Sequence, residues 1–302
     1  MVTSDFDPVR HAAGASQRAS RGQSRRFDEL AAKDVVAALL DAEARVLPAV
    51  RAAGEDVARG ADLLADRWRA GGRWIFVGAG TSGRIAWSQA AELPGTFGLP
   101  RERVVARIAG GLEATDDDED DLASAASDVA ALAFARTDVL VAVAASGSTP
   151  YTLAVASAAR AAGAAVIAAV TVRDSPLAAL ADIAIETVVG AEALRGSSRL
   201  GAGTAQKLTL DALTTAAGAR IGRVHGELMI DVVGANAKLR DRSAAIVAEI
   251  AECDIVDARD ALARCDGSAR AAVLVLVRGL DPAQAAALAA RHETLRAALS
   301  AE

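Results

Sequence analysis

The stretch from Arg73 to Gly98, RWIFVGAGTSGRIAWSQAAELPGTFG, restricts the fold more than any other part of the chain. It opens with Trp74-Ile75-Phe76-Val77, an apolar run of the length of one buried strand. A glycine-rich turn, Gly78-Ala79-Gly80-Thr81-Ser82-Gly83, follows and leads into a segment of helical character. A strand that feeds such a turn and then a helix builds an anion cradle. Backbone N–H groups converge there, and the helix N-terminus carries partial positive charge. Thr81 and Ser82 add hydroxyls at that point. About one helical span later stands Glu92, the only acidic residue of the stretch. An anion seat with a carboxylate nearby points to catalysis on a phosphorylated small molecule.

The pattern recurs along the chain. Val104–Ile108 predicts a second strand that ends at Gly110-Gly111, and residues 138–143 a third that delivers into Ala145-Ser146-Gly147-Ser148-Thr149-Pro150. A helix over about 151–162 is followed by a fourth strand over 165–172, a short helix from Ser175-Pro176, and a fifth strand over 183–189. Strands alternating with helices at this interval make a parallel sheet covered on both faces, with ligands beyond the strand C-termini. Before the sheet, the spacing of Val35, Val36, Leu39, Leu40, Val46, Leu47 and Val50 predicts two or three helices. After it come a long helix over 204–222, further helix to about Glu252 and three short helices over 254–299. Residues 272–277 carry enough β-branching for a strand, but their helical neighbours favour helix. The expected division is a flexible tail at 1–26, a sugar-phosphate-binding α/β domain at 27–225 and a helical region at 226–302.

Composition then removes whole classes of function. With 52% hydrophobic and 24% charged residues the chain belongs among globular proteins, while 3% aromatics leaves an aliphatic core and no stacking platform for bases. A net charge of −6 argues against nucleic acid as a partner. The most apolar run, Thr152 to Val172, is interrupted by Arg160 and Gly163, so no membrane span is expected. Cys253 and Cys265 are too few for a disulfide framework or a zinc site. His11, His225 and His292 are scattered, which disfavours a metal centre or a Ser-His-Asp relay. No apolar leader follows the first basic residues, so a cytoplasmic location with reduced thiols is the expectation.

The turn at 78–83 also matches the dinucleotide fingerprint. That reading needs an acidic residue at the end of the second strand, where the chain has Ile108-Ala109-Gly110-Gly111 and nothing acidic before Glu113. A second hydroxyl-bearing turn, with Ser146, Ser148 and Thr149, suits a compact sugar phosphate better than a pyrophosphate. A third, Gly196-Ser197-Ser198-Arg199, lies between Glu192 and Lys207 and could donate to phosphate; alone it reads as a helix cap with a solvated arginine. The acidic run Asp116–Asp121 reads as a solvated helix start.

At this point a family likeness is specific. VGAGTSGR (77–84), AAELPGTFG (90–98), AASGSTPY (144–151), GSSRLGAGTAQK (196–207) and GELMIDV (226–232) closely resemble the motifs of N-acetylmuramic acid 6-phosphate etherases, a family within the SIS (sugar isomerase) superfamily. The likeness runs from about Phe27 to Leu299. It implies a three-layer SIS-type domain with a five-stranded parallel sheet plus a C-terminal helical domain, working as a homodimer without metal or cofactor. It implies a lyase that cleaves the D-lactyl ether of N-acetylmuramic acid 6-phosphate, leaving N-acetylglucosamine 6-phosphate and D-lactate, in cell-wall recycling. The family's acid falls on Glu92. Its second catalytic glutamate falls on Asp116, with Glu119 or Glu113 as the carboxylates that could replace it. The implied substrate contacts are Gly80, Thr81, Ser82, Gly83, Ser146, Ser148, Thr149, Glu192, Ser197, Ser198 and Lys207. Ser148 stands where the family has arginine and Gly201 where lysine is common, with Arg195 as a compensating cation. Two rival activities share the fold: a non-catalytic sugar-phosphate sensor, and an aldose–ketose isomerase that abstracts the same C2 proton without ether loss.

Overall fold

The computed structural model describes residues 26–301, except for the side chain of Asp116. The expected tail, apart from Arg26, lies outside the described residues. A single 3-10 turn at Phe27–Glu29 precedes three helices, α1 (Ala32–Glu43), α2 (Val46–Ala52) and α3 (Gly54–Arg69). The sheet then alternates with helices: β1 (Trp74–Gly78), α4 (Gly80–Phe97), β2 (Val104–Ile108), α5 (Leu122–Leu132), β3 (Val139–Val143), α6 (Pro150–Ala161), β4 (Ala165–Val170), α7 (Pro176–Leu180) and β5 (Ile183–Glu186). All five strands are parallel, in the order β2-β1-β3-β4-β5, with Trp74 opposite both Val104 and Val139.

The side-chain period of two divides each central strand between two cores. Trp74, Phe76, Val139, Val141, Val143 and Ile167 face α3, α4 and the long helix α8 (Gly201–Arg220). Ile75, Val77, Leu140, Ala142, Val166 and Ala168 face α5, α6 and α7. The sheet is therefore the middle of three layers. At its other end Asp138, 1% exposed, accepts bonds from the Arg73 amide (2.9 Å), the Arg73 guanidinium (2.6 Å) and the Ala135 amide (2.8 Å), which fixes where β1 and β3 begin.

Of the further helix expected beyond α8 to about Glu252, residues 237–251 are helical and residues 224–229 are not. Two-residue strands β6 (Val224–His225) and β7 (Leu228–Met229) form a hairpin around Gly226, whose φ of +60° breaks any helix there. Five helices follow, α9 (Ala237–Ala251), α10 (Ile255–Arg264), α11 (Ala269–Arg278), α12 (Pro282–Arg291) and α13 (Leu295–Ser300), so the last stretch holds four helices where three were expected. They enclose a separate core around Ile230, Val247, Leu274 and Leu295, with residues 272–277 helical. Asp231 ties this bundle to the sheet domain by accepting from Arg223 (3.1 Å) and Arg270 (2.7 Å). Among the described residues no single helix is long and apolar enough to cross a membrane.

Candidate active site

Parallel strands bring the three hydroxyl-bearing turns to one edge of the sheet. Backbone bonds pin two of them: Ala109 N–H donates to Gly78 O (3.1 Å), and Thr171 donates to Ala145 O through its N–H (3.0 Å) and its hydroxyl (2.9 Å). In the second turn the Ser146 hydroxyl oxygen accepts from the Ser148 amide (3.2 Å) and lies 3.0 Å from the Ser148 hydroxyl. Thr149 is extended and leads into Pro150 at the start of α6, so its hydroxyl is not used as a cap. The turn thus offers three hydroxyls beside a helix N-terminus.

The first and third turns meet where α4 and α8 begin. A methyl placed on Gly203 would stand 3.6 Å from both Thr81 Cγ2 and the Ser198 carbonyl. The Ser82 hydroxyl is 3.0 Å from the side-chain amide oxygen of Gln206. Glu192 does not face open solvent: its two oxygens accept from the amides of Gly201 (3.0 Å) and Ala202 (2.9 Å), which closes the N-terminus of α8 with a carboxylate. Ser197 is half-buried and Ser198 exposed just ahead of it.

The acidic run behaves differently from the plain helix start expected of it. Asp121 acts that way, capping α5 by accepting from Ala123 and Ser124 amides (2.8 and 3.0 Å), and Asp118 closes a capping box with Thr115 at the turn before it. The residues before it, Asp116–Asp120, form a 3-10 turn that folds back onto the strand ends. Asp118 accepts from Thr115 (amide 2.7 Å, hydroxyl 3.1 Å) while its carboxyl packs on Gly110. Glu119 reaches Gly80: a β carbon on that glycine would lie 2.5 Å from Glu119 Oε1. With φ of +52° and a carboxylate where a β carbon would go, position 80 strongly favours glycine. Arg84 Nη2 donates to Ala114 O (2.9 Å) and anchors the segment to α4. Glu113 sits in an exposed turn; of Asp116 only the backbone is described, three residues before Glu119.

Glu92 lies elsewhere on α4. It lines a groove of about 240 Å³ with Thr81, Arg84, Ser88, Gln89 and Lys207, and Lys207 pairs with Asp211 one turn further along α8. At 1.5 Å rise per residue, Thr81 and Glu92 are ~16 Å apart along the helix. The groove therefore joins Glu92 to the first turn at its far end, and the serines of the other two turns do not line it. Among the described residues no group of three His, Cys, Asp or Glu side chains could hold a metal ion. Two placements were not legible beforehand: Glu119 over Gly80, and Gln206 beside Ser82. Both depend on approaches between segments far apart in the chain.

Comparison with known proteins identifies the family of the chain. The SIS domain family model matches residues 40–171. The N-acetylmuramic acid 6-phosphate etherase of Photorhabdus laumondii is 42% identical over 273 residues, covering 89% of this chain and 91% of that protein. That of Aliivibrio fischeri is 42% identical over 282 residues, covering 92% and 94%. Among solved structures, a phosphoheptose isomerase from Neisseria gonorrhoeae overlays with a TM-score of 0.49 at 20% identity, covering 62% of this chain and 98% of that one. With this identity sustained along nearly its whole length, the chain belongs to the N-acetylmuramic acid 6-phosphate etherase family.

Proposed function

We propose that the protein is a carbon–oxygen lyase that splits the D-lactyl ether of N-acetylmuramic acid 6-phosphate. The products are N-acetylglucosamine 6-phosphate and D-lactate, and the setting is amino-sugar recycling from the cell wall in the cytoplasm. In the open-chain sugar the C3 ether is β to the C1 aldehyde, which acidifies the C2 proton. A base removes that proton, the C2–C3 double bond forms, and the C3–O bond breaks as an acid protonates the departing lactate oxygen. Water then adds its hydroxyl to C3 and its proton to C2. Two carboxylates suffice, and no cofactor is needed.

The observation that carries this reading is the Glu119 carboxylate at the mouth of the first turn, against Gly80. It supports Glu119 as the base in place of Asp116, and it directs the phosphate away from the first helix N-terminus, where two anions would repel. The second turn, with Ser146, Ser148 and Thr149 ahead of α6, then takes the phosphate, while Ser197 and Ser198, on the turn that meets the first, are left to the sugar. Glu192 serves the reaction by holding α8 in place. Glu92 remains the acid, and its position implies a homodimer. From Gly80 to Glu92 the rise along α4 is ~18 Å, whereas the bonds to be broken are on adjacent carbons. That separation supports a reading in which Glu92 completes the pocket of a second copy. Val36, Leu40 and Leu47, all large, apolar and exposed on α1 and α2, are surface that such a copy would cover.

The test is lactate release from N-acetylmuramic acid 6-phosphate by the wild type and by Glu119→Gln, Asp116→Asn and Glu92→Gln. Lactate is expected from the wild type and from Asp116→Asn, with the two glutamate variants at least about a hundredfold slower. A ketose product without lactate would make the protein an isomerase, and tight binding without turnover a sensor. Silence of Asp116→Asn alone would return the base to Asp116.

A further inference from the structure

Helices α4 and α8 meet beside the first turn, and the polar contact there is between Ser82 and Gln206. Gln206 is 1% exposed. Its amide oxygen is 3.0 Å from the half-buried Ser82 hydroxyl, while its amide nitrogen is buried with no partner among the described residues. A buried N–H with nothing to donate to is rarer than a carbonyl left the same way. The two ends of an amide are nearly the same shape, so hydrogen bonding decides between them. Turned over, the amide donates from Nε2 to Ser82 Oγ in the same geometry and leaves its carbonyl inside.

That choice controls what Ser82 can do. A serine hydroxyl has one proton. If Ser82 donates to Gln206, the proton points into α8 and the oxygen offers substrate only lone pairs, which have nothing to give a sugar oxygen. If Gln206 donates to Ser82, the proton is released toward the turn. We infer that Gln206 is a positioning residue: its amide donates to Ser82 and turns the Ser82 hydroxyl into a donor to an oxygen of the bound substrate's sugar, away from its phosphate. This rests on the sugar-phosphate reading of the site. It adds to that reading a buried residue that touches no substrate.

The experiment is a double-mutant cycle on the intact protein, with binding of the product N-acetylglucosamine 6-phosphate measured by calorimetry and the melting temperature recorded for each variant. Gln206→Glu keeps the shape but, when ionised, can only accept, drawing the Ser82 proton inward. It is expected to weaken binding about tenfold, as does Ser82→Ala, and the two together are expected to be no worse than either alone. Lowering the pH until the buried carboxyl is neutral gives it back a donor, so binding by Gln206→Glu recovers while that of Ser82→Ala does not. If Gln206→Glu fails to fold, Gln206→Met runs the same cycle without a charge, with a loss of a few fold that again disappears in the Ser82→Ala background. Additive penalties in the cycle would mean that Gln206 acts through charge or packing and would overturn the inference alone. A folded wild type that does not bind the sugar phosphate would overturn the functional reading and the inference with it.

Discussion

Replacing Gly80 by alanine separates catalysis from stability. The residue has φ of +52°, and a β carbon there would stand 2.5 Å from Glu119 Oε1. Left-handed backbone costs an alanine about 1–2 kcal/mol, which lowers the melting temperature of a chain this size by several degrees. The clash adds a second effect. Glu119 must withdraw by ~1 Å to reach ordinary contact, and a carboxyl at the far end of a flexible side chain yields more readily than backbone would. A base displaced by about 1 Å loses about a hundredfold in rate. Gly111→Ala is the control, with φ of +80° and open space where the methyl would go. Both variants should therefore melt earlier by similar amounts, while only Gly80→Ala loses about a hundredfold in lactate release at saturating substrate. Thermal scanning and a lactate assay on the same preparations decide the matter. Equal turnover in the two variants would refute the placement of the base.

Three further outcomes are expected. Mixing Glu92→Gln with Glu119→Gln under conditions of subunit exchange should restore about a quarter of wild-type activity, because half of the dimers are mixed and each has one intact pocket; no recovery would mean that both carboxylates act within one chain. Asp138→Asn should lower unfolding free energy by about 3–5 kcal/mol in denaturant titrations, since it leaves the Arg73 guanidinium without its anion. Burial pushes the Asp138 carboxyl up, but bonds from Arg73 and Ala135 outweigh it and hold the group below its ordinary 3.8. Its contribution is therefore complete above about pH 4 and lost as pH falls through the depressed value, so the variant's stability should vary less with pH in that acid range. Asp231→Ala should cost about 3 kcal/mol by the same titration, because Arg223 and Arg270 lose the acceptor that joins the C-terminal bundle to the sheet domain.

Local pattern carried the sheet a long way. Trp74–Val77, Val139–Val143 and Ala165–Val170 are apolar at every position because both their faces are covered, and a run of that kind between glycine turns has few other uses. The helical assignment of residues 272–277 depended on the neighbours of the run, and burial of Val273, Leu274 and Val275 in a helix bundle is the physical reason it is not a strand. The hairpin at 224–229 escaped because two-residue strands have no period to detect. The site was legible in part for a similar reason. Glycine and hydroxyl residues after a strand announce their position locally. The roles of Glu119 and Gln206 depend instead on what folds against them. Asp116–Asp121 has the composition of a solvated helix start, yet Asp118 and Glu119 pack on Gly110 and Gly80, two glycines whose lack of a β carbon leaves room for a carboxylate.

The elimination itself is tested most directly by letting the reaction run in water labelled with deuterium and with oxygen-18. Abstraction at C2 followed by addition of water across C2–C3 predicts deuterium at C2 and heavy oxygen at C3 of the sugar product, with the ether oxygen leaving unlabelled as the hydroxyl of D-lactate. Heavy oxygen in the lactate hydroxyl, or lactate release with the original hydrogen still on C2, would contradict it.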